Sequence, residues 1–227
     1  MNTLKKQARI TGFLYLIIII GGLFTEVFVR SKIIDWNSPV ITAQNIIEFE
    51  TLYRLGFSVD LIVFLCDIGV AILLYKILKP ISHTLAAITA SLRLTMVAIS
   101  AVNLLNLYKP LAYLKGADYL SIFNIEQLQA LSTISLKTHN YGYHIALVFF
   151  GLHCFFLGYL LIKSINFPKV LGVLLMLASF GYLINSFSNF MPNYVSISYI
   201  YLLLPAFVAE VSFCLWLLIK GIKTVKQ

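Results

Sequence analysis

The sequence predicts an all-α membrane bundle of six transmembrane helices, and three observations predict it. Of 227 residues, 60% are hydrophobic and only 11% charged, against about 45–50% and about 25% in ordinary soluble domains. Six separate runs reach the roughly 20 apolar residues that a membrane helix needs. The cations gather in short segments between those runs, as membrane orientation requires. Together these exclude a secreted domain, a disordered chain and a nucleic-acid partner, despite a formal net charge of +8. The lipid bilayer is the expected surrounding, and the whole chain, 1–227, reads as one domain with no soluble part.

The first span, Ile10–Val29, follows Lys5, Lys6 and Arg9. It is too long for the apolar region of a signal peptide and lacks a small-residue cleavage site, so it reads as an uncleaved helix. The second span is Arg54–Ile77 and the third His83–Leu107, with Lys79-Pro80 in the turn between them. The fourth is Tyr141–Ile162, the fifth Lys169–Phe190 and the sixth Ser198–Lys220. Pro168 suits the first turn of the fifth span. Two connections are longer. Residues 31–53 hold a short helix around Thr42–Thr51. In residues 108–138, Asn124 and Gln127 have capping-box spacing, and Ile125, Leu128, Leu131 and Ile134 then share a face. Such a helix lies on the membrane surface or caps the bundle.

Orientation follows from the cations. With the N-terminus inside, ten Lys and Arg face the cytoplasm: Lys5, Lys6, Arg9, Lys76, Lys79, Lys163, Lys169, Lys220, Lys223 and Lys226. Six face outward, Arg30, Lys32, Arg54, Lys109, Lys115 and Lys137, and they are spread over far longer loops. The bias places both termini in the cytoplasm of a bacterial cytoplasmic membrane. Cys66, Cys154 and Cys214 lie inside apolar runs and read as buried free thiols. Gly151 and Gly158 share a face of the fourth span, and Ala86, Ala90 and Ala87, Ser91 make small-residue pairs on the third. These mark close helix packing. Tyrosines near span ends, Tyr15, Tyr53 and Tyr75 among them, read as interfacial anchors, whereas Tyr182 lies deeper and needs a hydrogen-bond partner.

Polar residues at membrane depth carry the functional expectation, because each costs at least about 2.5–3.5 kcal/mol to insert. Counting about 1.5 Å of rise per residue from the outer ends, Asp67, Arg93, His153 and Glu210 all fall at roughly 18–21 Å, on four different spans. Glu26, Asp60, Asn103, His144 and Asn185 form an outer layer at roughly 5–9 Å by the same count. Arg93 cannot shed its proton and needs an anion beside it. Asp67 and Glu210 are the anions at its depth. One of them left over would pair with His153 as a proton-handling unit. Asp60 and Asp67 are seven residues apart and share a face, separated by about 10.5 Å of rise. They are too distant for a shared metal and are placed like a polar pathway.

Other chemistries fit less well. His139 and His153 have the spacing of a two-haem helix, but no second span supplies opposing histidines. Asp60, Glu26, His144 and His139 could supply an outer zinc site for an intramembrane hydrolase, yet the two histidines differ by about 140° around their helix. No metal is assigned, and the cofactor and the ligand stay open. The residues leave three readings: a protein binding or transporting a small ligand or protons at the Asp67, Arg93, His153 and Glu210 layer; a metal-assisted hydrolase; or a structural membrane protein whose charges only fasten helices. Six spans are few for a transporter, which raises a homodimer.

Several motifs together resemble a known family. Arg54-Leu-Gly-Phe is followed by Asp60, Cys66-Asp67, Arg93 and Val102-Asn103-Leu-Leu. Phe149-Phe-Gly-Leu-His-Cys154, Gly158-Tyr-Leu, Leu171-Gly-Val-Leu-Leu175, Gly181-Tyr-Leu183 and Leu203-Leu-Pro205 come next, with Glu210 beyond. From Ala8 to Gly221 the chain resembles the bacterial membrane family catalogued as domain of unknown function 4386. The resemblance implies an intact one-domain membrane protein and assigns no catalytic residue.

Overall fold

The computed structural model describes residues 3–191 and 199–222, and every regular element among them is helical. Helix α1 covers Thr3–Leu23 and continues through a π-helical stretch, Phe24–Arg30, into a last turn at Ser31–Ile33. Then come α2 (Pro39–Glu48), α3 (Glu50–Leu78) and α4 (His83–Leu114). They are followed by α5 (Ile125–Lys163), α6 (Lys169–Ser188) and α7 (Tyr199–Ile219). Five of these are long and apolar enough to cross a membrane: Thr3–Ile33, α3, α4, α5 and α6. In α7 the apolar stretch is shorter, Leu204–Ile219. The expected start of the sixth span, Ser198, lies outside the described residues, as do Lys223 and Lys226.

Local chemistry sets the boundaries, and several differ from the expected ones. The Ser38 hydroxyl caps α2 by accepting from the Ile41 amide at 3.2 Å, with Pro39 in the first turn. The helix therefore starts before Thr42 and ends at Glu48. Helix α4 runs past Leu107 to Leu114, straight through Pro110. The ring removes one bond, to the carbonyl four residues back, and the next turn continues. The capping box at α5 forms: the Asn124 amide donates to Gln127 Oε1, and the Gln127 amide to Asn124 Oδ1, both at 2.9 Å. However, the helix it opens is not a separate surface helix. With no proline before Lys163, it runs for 39 residues and includes the fourth span. Its buried face near the start is Leu128, Ser132, Ser135 and Leu136, while Ile125 and Ile134 are exposed. Pro168 stands just outside α6, in an extended conformation. Gly221, at φ +69°, closes the end of α7, and its amide and that of Lys220 both reach the Trp216 carbonyl.

The chain divides into two compact units. The first comprises Met1–Ile19, Leu65–Ala98 and His144–Gln227; the second, Ile20–Phe64 and Ile99–Tyr143. The core of the first gathers Tyr15, Leu74, Leu157, Leu175, Phe213 and their neighbours. That of the second is built around Ile33, Ile46, Tyr53, Leu104 and Leu136. Within the first unit α5 and α6 touch backbone to backbone. A Cβ on Gly158 would stand 2.5 Å from the Gly172 carbonyl oxygen, and one on Gly172 equally close to that of Gly158. Gly151 faces the same helix, with Ser179 and Leu183 next to it. Cys66, Cys154 and Cys214 are free and buried.

Candidate functional site

In the first unit Arg93, on α4, is 1% exposed, so its charge has to be met by neighbouring side chains. Asp67 on α3 meets it. Arg93 Nε and Nη2 both donate to Asp67 Oδ1, at 2.8 and 2.5 Å. The third donor, Nη1, lies 3.1 Å from His153 Nε2 on α5. His153 Nδ1 stands 2.8 Å from the Thr89 carbonyl oxygen. A carbonyl only accepts, so Nδ1 carries the proton and Nε2 offers its lone pair to the guanidinium. His153 therefore serves Arg93, and its two ring nitrogens are taken by Arg93 and Thr89 rather than by a carboxylate, which corrects the expected carboxylate–histidine pair. Two rings complete the enclosure: the guanidinium carbon is 4.9 Å from the centroid of Tyr15 and 5.4 Å from that of Phe150. Such cation–π contacts strengthen where water is excluded. Phe150 also stacks on His153 at 5.7 Å.

Glu210 on α7 is satisfied differently. Tyr15 Oη donates to its Oε2 at 3.0 Å, and Tyr182 Oη on α6 donates to its Oε1. Phe150 packs edge-on against Tyr182 at 5.1 Å. Tyr15 thus faces two ways, with its ring under Arg93 and its hydroxyl on Glu210. The tyrosine is fully buried, which corrects its reading as an interfacial anchor. Its helix begins at Thr3, so Tyr15 sits three turns inside it, and a phenol there needs an acceptor. Tyr53, also read as an anchor, is 3% exposed and donates to the Leu107 carbonyl in the second unit.

The outer-layer residues fall into smaller groups. In the second unit Asp60 pairs with Arg30 at 2.5 Å, and the exposed Glu26 reaches the same Arg30 at 3.4 Å. The π-helical stretch sets this up, with the Ser31 amide bonding back to the Glu26 carbonyl, five residues away. A small cleft there is lined by Thr25, Arg30, Tyr53 and Asp60 with apolar neighbours. Asn103 and His139 exchange bonds: Asn103 Nδ2 donates to the His139 carbonyl at 2.8 Å, and His139 Nδ1 lies 3.2 Å from the Asn103 carbonyl. His144 and Asn185 belong to the first unit and are both buried. Among the described residues no three His, Cys, Asp or Glu side chains come together as metal ligands.

The family profile described as "Domain of unknown function (DUF4386)" matches residues 10–221. The chain belongs to the DUF4386 family. A relative from Archaeoglobus fulgidus, described as an uncharacterized protein, is 31% identical over 162 residues, covering 71% of this chain and 81% of its own. No solved structure matches.

In this DUF4386 chain, depth counting singles out Asp67, Arg93, His153 and Glu210, and misses Tyr15, Thr89 and Phe150. Thr89 contributes only a backbone carbonyl and Phe150 only a ring face, so neither leaves a signal in sequence. Tyr15 leaves one: it is a phenol well inside an apolar run.

Proposed function

We propose that this is a six-span, one-domain protein of the bacterial cytoplasmic membrane, with both termini inside. In this reading it binds or moves a proton or small cation at the Asp67, Arg93, His153 and Glu210 layer. The ten-to-six division of cations, with the ten on short segments, supports the orientation. α7 supports the sixth span, with an apolar stretch that begins at Leu204 and preceding residues that are also helical.

One observation carries the functional reading. Arg93 has a single positive charge, and Asp67 takes it. Among the described residues Glu210 is then a second carboxylate that makes no ion pair and accepts from the hydroxyls of Tyr15 and Tyr182. A carboxylate inside an apolar helix bundle with no cation in direct contact is unfavourable as an anion. It therefore recruits positive charge, as a proton or a small cation. Asp67, Arg93 and His153 form the fixed part, and Glu210 the exchangeable one.

The test is infrared titration of the purified protein in lipid, with pH and with sodium or potassium as separate variables. The expected result is a carboxyl band that responds to protons or to one of the cations, and that disappears in Glu210→Gln while the melting temperature is kept. A Glu210→Gln protein with the same bands and the same ion response would refute the reading. The fastener reading draws on the Arg93 fork itself, since a guanidinium with three nitrogens engaged by Asp67 and His153 holds α3, α4 and α5 together whether or not a ligand binds.

A further inference from the structure

The charges of this chain are segregated by unit. Of its nine carboxylates, seven fall within Ile20–Phe64 and Ile99–Tyr143, and the other two are Asp67 and Glu210 of the candidate site. The first unit consequently has an end that carries cations alone. There α3 ends and α4 begins, with Lys76 and Lys79, and α5 ends and α6 begins, with Lys163 and Lys169. All four lysines are exposed, and none is in an ion pair among the described residues.

These lysines do not stand on a purely polar surface. Lys163 Nζ lies 5.0 Å from the ring centroid of Tyr159, and Lys79 Nζ 5.9 Å from that of Tyr75. Beside Lys163 and Lys169, large apolar side chains are left uncovered: Ile165 is 75% exposed, Val170 59% and Val173 46%. Cations next to bare aliphatic groups match a ligand with an anionic head and an apolar tail. Nucleic acid or an acidic protein would supply the first feature and leave the second facing water.

We infer that this end of the first unit is a docking surface for anionic phospholipids. Lys76, Lys79, Lys163 and Lys169 hold the phosphodiester headgroups, and Ile165, Val170 and Val173 lie against the acyl chains. Juxtamembrane lysines each gain about 1 kcal/mol from an anionic leaflet, and their stems cover apolar surface while the ammonium stays at the headgroups. The inference does not depend on what Glu210 binds.

The experiment uses the full chain in neutral detergent, titrated with phosphatidylglycerol, with phosphatidylcholine or with inorganic phosphate. Bound lipid is counted by native mass spectrometry, alongside the melting temperature. Phosphatidylglycerol is expected to bind and raise the melting temperature, while phosphatidylcholine and phosphate do neither. Replacing all four lysines with Gln should weaken phosphatidylglycerol by several hundredfold, roughly fivefold for each lysine. Replacing Lys109 and Lys137 of the second unit should leave binding unchanged. The native chain should also lose bound phosphatidylglycerol as salt rises, since exposed charges are screened, which keeps the idea testable if the fourfold variant does not fold. Equal binding of phosphatidylcholine, salt-independent binding, or a folded fourfold variant with native affinity overturns the inference. Matching saturation by inorganic phosphate overturns it as well, since it would mean a simple anion site.

Discussion

Arg93 shows how one residue can dictate its surroundings. A guanidinium at membrane depth has no neutral form to retreat to, so the chain supplies a carboxylate, an imidazole lone pair and two ring faces. Replacing Arg93 with Met leaves Asp67 without a counter-charge, and breaking a buried pair costs about 3–5 kcal/mol. The expected outcome in thermal melts of detergent-purified protein is a loss of that order, with Asp67→Leu added to Arg93→Met recovering part of it. A single variant as stable as the parent would show that the pair contributes no net stability. The need for an anion near Arg93 is legible in the sequence. The choice between Asp67 and Glu210 is not, because depth counting says nothing about how the helices are rotated, and that rotation gives Asp67 to Arg93 and two phenols to Glu210.

Helices α5 and α6 depend on two glycines for their separation. At Gly158 a Cβ would meet the Gly172 carbonyl oxygen at 2.5 Å and the Met176 amide nitrogen at 3.0 Å. Backbone atoms cannot rotate out of the way, so the helices must part. Gly158→Ala is expected to destabilise by about 1–3 kcal/mol, the usual cost of overpacking. Gly22 has nothing within 4 Å of the same position. Gly22→Ala should be neutral or stabilising by about 0.5–1 kcal/mol, because alanine loses less backbone entropy in a helix. Paired thermal melts check both, and a harmless Gly158→Ala would mean that the two helices slide apart freely. The glycine spacing on the fourth span is legible in the sequence, as is the capping box at Asn124. The π-helical stretch Phe24–Arg30 is not: it holds no glycine or proline, and the Gly21-Gly22 pair just before it does not by itself call for a bond to the fifth residue back.

At the scale of the whole molecule the charge distribution makes the clearest prediction. Reporter fusions after Lys79 and after Lys169 are expected to read cytoplasmic, and fusions near Gly116 external. The motive is the bias of ten cations on short segments against six on long ones. An external signal after Lys79 would invert the orientation and place the lysine end of the first unit in the outer leaflet. The phospholipid inference would survive this, because it concerns the chemistry of that end and not its side of the membrane.

The amino-acid sequence by itself determined the helical class and the apolar runs long enough to cross a membrane. Composition, span length and rise per residue are additive along a chain and need no tertiary information. It also determined that Arg93 requires an anion, since the cost of an unpaired charge in hydrocarbon does not depend on the fold. Only the tertiary structure decided the partners. It gave His153 to Arg93 and Thr89, moved Tyr15 from the membrane surface to Glu210, joined the helix expected in residues 108–138 to the fourth span, and tied Asp60 to Arg30. Each of these depends on how a helix is rotated or where it continues. Those choices are settled by contacts between residues far apart in sequence, such as Tyr15 and Glu210, which no local count along the chain can reach.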